Sequence, residues 1–539
     1  MKKLLSLVLC LVLCLSNVAL AESFPIPEDP TPYFDWADTL DVSGKTYDEH
    51  VTIQLTTQHL NDTVDYLAGD TLTLWFQDHF NFTWELEALP SSGASDKIRT
   101  LINGDEVPDV LWWFSWYQNE VYNYIQEGYF KALPEDWETR WPNLARAQAS
   151  VPASVYFRSL TEGKQYVLFR PVFLNYQPVE VQVNQNCVYI RKDWAEAVGF
   201  PIKDVYTADE IVEFGRLLKE KDPGNVGDKL IPITGPQDYL MDLFIDSSFP
   251  EFSGIEKING TYEWTFANEK TLEGLKLFKT AYKEGLLSPE FYVYTDDEAY
   301  ALFYNTLVSG VCVKHSNPGH IADVQDGLKE NGLEFADVVH QAAYVGRDGY
   351  YHGWENGNYW GVQMFSADCP DEVMYRYLDI ADFVATKEAQ KLIYNGFKGI
   401  DWELDAHGVE VTNCTEEIGG YSSGWPIDHL TATCGDDFAA AIEDNHAAAE
   451  KERMGWWFAV MQKKNDLITD GSIIPIDHQK AAFTSETQDM YTNVDCDTLA
   501  VNLVVSDGDL ETEWKAAIDE NMYLVQPAVD ELNELFGDK

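Results

Sequence analysis

Hydrophobic and polar positions along this chain switch between a period of two and a period near 3.6, and the switches mark its elements. Val51, Ile53 and Leu55 alternate with Thr52, Gln54 and Thr56, which predicts a strand. Ser92 then caps a predicted helix that carries Ile98, Leu101 and Ile102 on one face and stops at Gly104. A second strand follows over Val107 to Trp113, entered through Pro108. Strand, helix, strand is the grammar of a mostly parallel sheet.

The grammar returns further on. Val188 to Ile190 reads as a strand running into a short helix, Lys192 to Val198, closed by Gly199. Thr207-Ala208-Asp209-Glu210 is a capping box ahead of Ile211, Phe214 and Leu218. Asn268 caps a helix with the stripe Leu275, Phe278 and Tyr282, ended by Gly285; Val311 to Val313 is a further strand. Val373, Tyr377, Ile380 and Val384 keep helical spacing, as do Trp514, Ile518 and Leu524 after Asp509. No internal repeat is apparent, which disfavours a solenoid or propeller. The pattern predicts two α/β lobes.

The first 21 residues stand apart. Lys2 and Lys3 precede an apolar run from Leu4 to Leu15, and Ala19-Leu20-Ala21 is a small-x-small cleavage site, so export with cleavage after Ala21 is expected. Cys10 and Cys14 follow Leu9 and Leu13, where a lipidation signal wants a small residue; this argues against a lipid anchor. No later stretch is long and apolar enough to span a membrane. The six cysteines beyond the leader show no CxxC spacing, so a zinc site is not expected, and Cys414 and Cys434 are left open as a bridge or as free thiols.

With 90 acidic and 37 basic side chains the net charge is −53, which makes nucleic acid and anionic membranes poor partners. Aromatic residues make up 14% of the chain, with 17 Trp and 29 Tyr, enough to serve both cores and flat faces for sugar rings. No GxSxG elbow, HExxH helix or P-loop is present.

Several segments resemble family 1 extracellular solute-binding proteins, the carbohydrate receptors of ABC importers. They are Ile98 to Val110 (IRTLINGDEVPDV), Gly128 to Leu133, Gly163 to Tyr166 with Pro171, Val188 to Trp194, Thr207 to Glu210, Tyr282 to Leu287, and Gly396 to Trp402, in order along the chain. The likeness is nearest to the large, lipoprotein-type subgroup that carries oligosaccharides. It implies a two-lobed, type II periplasmic-binding-protein-like fold with discontinuous lobes, 22–174 with 343–418 and 175–342 with 419–539. It also implies capture by hinge closure, a carbohydrate ligand, an ABC permease as partner, and no catalysis. Some relatives hold calcium in an Asp-rich loop. Asp222 to Asp228 has Gly224 and Val226 where oxygen ligands are needed, so a structural turn without the ion is expected.

Sugars present apolar C–H faces rimmed by hydroxyls, so a binding edge needs aromatic platforms with carboxylates, amides or Arg beside them. Trp112, Trp113 and Trp116 follow a predicted parallel strand, where ligands of α/β sheets gather. Trp112 and Trp113 point to opposite faces, so at most one is a platform. Arg170 suits hydroxyls or a uronate, its alternative being a surface ion pair. Trp354, Glu355 and Trp360 are dense in the right groups, and Tyr239, Asp242 and Trp425 complete the expected set. No metal or cofactor is expected, and the chain is expected to act as a monomer. The rival readings are a secreted glycoside hydrolase or polysaccharide lyase, which needs two carboxylates at a set separation, and a surface adhesin or sensor on the same fold.

Overall fold

The computed structural model describes residues 47–58, 71–89, 93–113, 118–171, 183–249, 251–355, 359–386, 389, 402–404, 410–412 and 448–538. The predicted leader, Trp116, Cys414, Trp425 and Cys434 lie outside them, as does all but Trp402 of the Gly396 to Trp402 segment. The chain divides into two lobes, one taking Met1–Asn175 and Asn358–Ala447, the other Tyr176–Gly357 and Ala448–Lys539.

In chain order the first lobe begins with strands β1 (Val51–Gln58), β2 (Phe82–Leu89), β3 (Val110–Trp113), β4 (Phe130–Lys131) and β5 (Val167–Pro171). The second lobe contributes β6 (Asn186–Arg191), β7 (Val205–Thr207), β8 (Ile233–Thr234), β9 (Ile255–Ile258), β10 (Thr261–Trp264), β11 (Val311–His315), β12 (Val339–Val345) and β13 (Gly353–Trp354). The chain then returns with β14 (Tyr359–Ser366), β15 (Trp402–Leu404) and β16 (Glu410–Thr412), and β17 (Ile473–Ile474) lies in the second lobe again.

The first lobe's main sheet runs β2-β1-β3-β14-β4, with β5 also on β14. β1, β2 and β3 are parallel and β14 is antiparallel to β3 and β5. Val51, Ile53 and Leu55 are buried while Thr52 and Gln54 face water, as the alternation predicts. Thr56 departs from it. Its hydroxyl donates to Trp112 O at 2.9 Å and accepts from Trp112 N at 2.8 Å, a buried clip between two parallel strands. The Pro-Asp turn before β3 does similar work, since Asp109 Oδ2 accepts from Gln54 N at 3.0 Å.

Local signals fix several helices. The Thr207–Glu210 capping box is formed in both directions, and Gly199 closes its helix at φ 77° in the left-handed region. Asn268 accepts from Lys270 N at the start of Glu269–Lys283. The helix Ala94–Asn103 differs from expectation: its N-cap is Gly93, without a side-chain cap, and Gly104 ends it at φ −85°, so its backbone is one that any residue adopts.

The second lobe's main sheet runs β7-β12-β6-β11-β8. β7, β12, β11 and β8 point one way and β6 runs against its neighbours. The passage between lobes expected near residue 343 falls inside β12, whose ladders to β6 and β7 hold it in the second lobe; the chain leaves only after Gly357. The Asp222 turn is closed by its own amides, with Val226 N and Gly227 N both donating to the Asp222 carboxylate at 2.8 Å.

Candidate functional site

Parallel strands end in loops at one edge of their sheet, and ligands of open α/β sheets collect there because helix starts and free backbone groups face outward. In the first lobe that edge carries the ends of β1, β2, β3 and β5 and the start of β14, with Tyr359 opposite Pro171 and Val362 opposite Trp113. Arg170 and Trp360 therefore sit on strands that meet at the same edge.

Trp112 and Trp113 do not serve as platforms. Trp112 packs with Ile53, Leu55 and Tyr377 on one face of the sheet, and Trp113 with Ile98, Leu111 and Met364 on the other. Both rings are enclosed, and Trp113 Nε1 donates to Ser95 Oγ at 3.1 Å. The pleat that sends neighbouring side chains to opposite faces gives each one a core, which corrects the expectation that one of them meets ligand. Arg170 is buried in β5.

In the second lobe the corresponding edge holds the ends of β8, β11 and β12 and the start of β6, with His315 opposite Asn186. Tyr239 lies on the helix Gln237–Met241 that follows β8 through Gly235-Pro236. Its hydroxyl meets His315 Nε2 at 2.7 Å, and their rings lie 4.7 Å apart. Burial holds His315 down to about 3, so it is neutral at physiological pH and presents one donor and one acceptor. Sequence reasoning did not single out His315; the available signal was its position as the last residue of a strand ahead of the Asn317-Pro318 helix start.

Asp242 lies deeper. The helix widens to a π turn over Asp242–Asp246, placing both carboxylates in the interior. Asn186 Nδ2 donates to Asp242, and Phe252 N donates to Asp246 Oδ1 at 3.0 Å. Burial pushes Asp242 up to about 6; burial and the neighbouring Asp242 drive Asp246 well above the usual carboxylate range. Asp242 is thus buried and engaged by Asn186, the first residue of β6. Trp354 is half-buried in β13, which pairs with β17, and the Glu355 carboxylate accepts from Ile476 N at 3.3 Å. Among the described residues no group of three or more His, Cys, Asp or Glu is placed to hold a metal ion.

The Asp246 carboxyl makes a pH-dependent prediction. Its folded-state pKa is raised, so the folded protein holds a proton that the unfolded chain releases above about pH 4. The resulting penalty grows as pH rises. Asp246→Asn keeps the acceptor for Phe252 N and removes the penalty, so its urea midpoint should exceed the parent's at pH 8. The gain should vanish near about pH 4; an equal gain at both pH values would contradict the assignment.

No family model matches the chain. The lipoprotein LipO of Bacillus subtilis (strain 168) is 24% identical over 346 residues, 60% of this chain and 61% of that protein. The match therefore spans about three-fifths of the relative's length. Among solved structures, the alginate-binding protein AlgQ2 without calcium ion superposes with a TM-score of 0.64 at 14% identity, over 91% of this chain and 98% of that one. An extracellular solute-binding protein from Bifidobacterium longum subsp. infantis gives 0.65 at 14% identity, over 90% and 97%. The S. pneumoniae ABC-transporter substrate-binding protein FusA in complex with kestose gives 0.63 at 14%, over 90% and 99%. The chain has the two-lobed, periplasmic-binding-protein-like α/β fold that these solute-binding proteins share.

Proposed function

We propose that this protein is an extracytoplasmic solute-binding protein that captures a carbohydrate, an oligosaccharide by preference, and delivers it unchanged to an ABC permease. The observation that carries the reading is the fold likeness over nine-tenths of the chain to an alginate-binding protein and to an ABC-transporter substrate-binding protein in complex with kestose. The placement of Arg170, Trp360, Tyr239 and His315 at the carboxyl edges of the two sheets supports it. A receptor gains by having ligand contacts on both lobes, because such contacts favour a more compact, closed state. The leader at residues 1–21 is consistent with action outside the cytoplasm, and the protein is proposed to work as a monomer.

A hydrolase is the weaker reading. Inverting and retaining glycosidases need two carboxyl groups about 5–10 Å apart on either side of an accessible bond. The conspicuous pair here, Asp242 and Asp246, is enclosed within the second lobe.

Thermal melting against a panel of neutral and acidic oligosaccharides tests the proposal. A ligand at a hundredfold excess over its Kd should add about 2.7 kcal/mol to folding and raise Tm. X-ray scattering of the same sample should show a smaller radius of gyration. A panel without any Tm shift would count against carbohydrate capture, and a shift without compaction against closure.

A further inference from the structure

Lys464 is the most deeply buried cation among the described residues, at 0% exposure on the helix Ala448–Asp466. Its Nζ donates to Asn184 O and Asn184 Oδ1, both at 3.0 Å. It also lies 5.1 Å from the ring centroid of Tyr344 and 4.8 Å from that of Tyr351, within cation–π range. Asn184 in turn accepts from Asn186 N at 3.2 Å, and Asn186 holds Asp242.

These partners come from three separate parts of the chain. Asn184 follows the first passage between lobes, after Asn175; Tyr351 precedes the second, after Gly357; Lys464 follows the third, after Ala447. Backbone bonds extend the fastening, since Tyr351 N donates to Leu467 O at 2.9 Å, Gly353 N to Ser472 O at 3.1 Å and Glu355 N to Ile474 O at 2.9 Å. Burial lowers the Lys464 amine to about 7, and burying an amine in either form costs more than burying an apolar side chain of equal size, so general stability does not account for a lysine here. A residue that must join three segments in one register does.

We propose that Lys464 is a positioning residue, a buried pin that binds the three chain segments flanking the passages, two entering and one leaving, and the Asn186–Asp242 floor of the binding edge into one body within the second lobe. Its functional consequence rests on the proposed capture of a ligand: segments fastened in this way transmit a contact at the edge to all three passages at once. The fastening itself is tested without any ligand.

Hydrogen exchange read by mass spectrometry on the whole unliganded protein, parent against Lys464→Met, separates the pin from ordinary packing. Methionine keeps the length and apolar stem while removing the charge and both donated bonds. Exchange should rise roughly tenfold together in peptides covering 183–187, 342–355 and 464–474, and stay unchanged in the helix Ala208–Lys221. A rise confined to the Lys464 helix, a rise spread equally over the lobe, or none would overturn the proposal. Should Lys464→Met fail to fold, Asn184→Ala removes the Oδ1 acceptor that Lys464 Nζ and Asn186 N share and leaves the backbone acceptor Asn184 O in place. It should raise exchange in the same three stretches by a smaller factor, and its silence would equally overturn the pin. Loss of carbohydrate binding in the parent protein would sink the proposed function and leave this result standing.

Discussion

Alanine at Trp113 should cost the first lobe about 3–5 kcal/mol of stability, whether or not a ligand is present. The ring is fully enclosed among Ile98, Leu111, Val121 and Met364, and its indole N–H is already engaged by Ser95 Oγ. Removing it opens a cavity that the surrounding strands and helices fill only in part. It also leaves the Ser95 hydroxyl without that donor. Trp112→Ala should behave alike from the opposite face, where the ring packs against the helix Asp371–Val384. Denaturant unfolding of the unliganded variants measures this directly. A sugar platform would behave differently, losing affinity with little change in unliganded stability, and that outcome would return one Trp to the binding edge.

Gly274→Ala should cost about 1–3 kcal/mol, an effect out of proportion to one methyl group. Gly274 lies on the helix Glu269–Lys283 where it crosses the π turn Asp242–Asp246. An added Cβ would sit 2.6 Å from Ile245 Cα and 2.7 Å from Phe244 O, and both are backbone atoms. A side chain can rotate away from such a contact; backbone must move, and here it carries Asp242 with it. Gly455 provides the control, since a Cβ there meets nothing within 4 Å. Gly455→Ala should be neutral or stabilising by up to about 1 kcal/mol through helix propensity. Equal denaturant midpoints for Gly274→Ala and the parent would show that the two helices are less tightly apposed than described.

Elements written in local chemistry were legible in the sequence. The Thr207 capping box, Asn268 as a cap and Gly199 as a left-handed stop each act within a few residues, so a reader needs no tertiary knowledge to find them. Ser92 misled because Gly93, at φ 79°, takes the capping position one residue later. The passage near 343 misled because sheet pairing, which joins β12 to β6 across some 150 residues of chain, decides lobe membership. That pairing has no signature in a local pattern.

The candidate site was legible at its edge and illegible beneath. Tyr239, Arg170 and Trp360 could be placed next to strand ends from sequence, because turn residues and changes of period mark where strands stop and start. Lys464 and Asn184 lie 280 residues apart, and nothing in either segment announces the other. Trp112 and Trp113 show the limit from the other side: a Trp-Trp pair at a strand end suits a platform and a core equally, and only burial separates them.

Capture without conversion is tested most directly by titration calorimetry of the purified protein with the oligosaccharide that most raises its Tm. Heat should saturate at one ligand per chain and return to baseline after each injection, with the sugar recovered intact. Sustained heat after each injection, accompanied by shorter or unsaturated sugar products, would identify an enzyme and contradict the central claim.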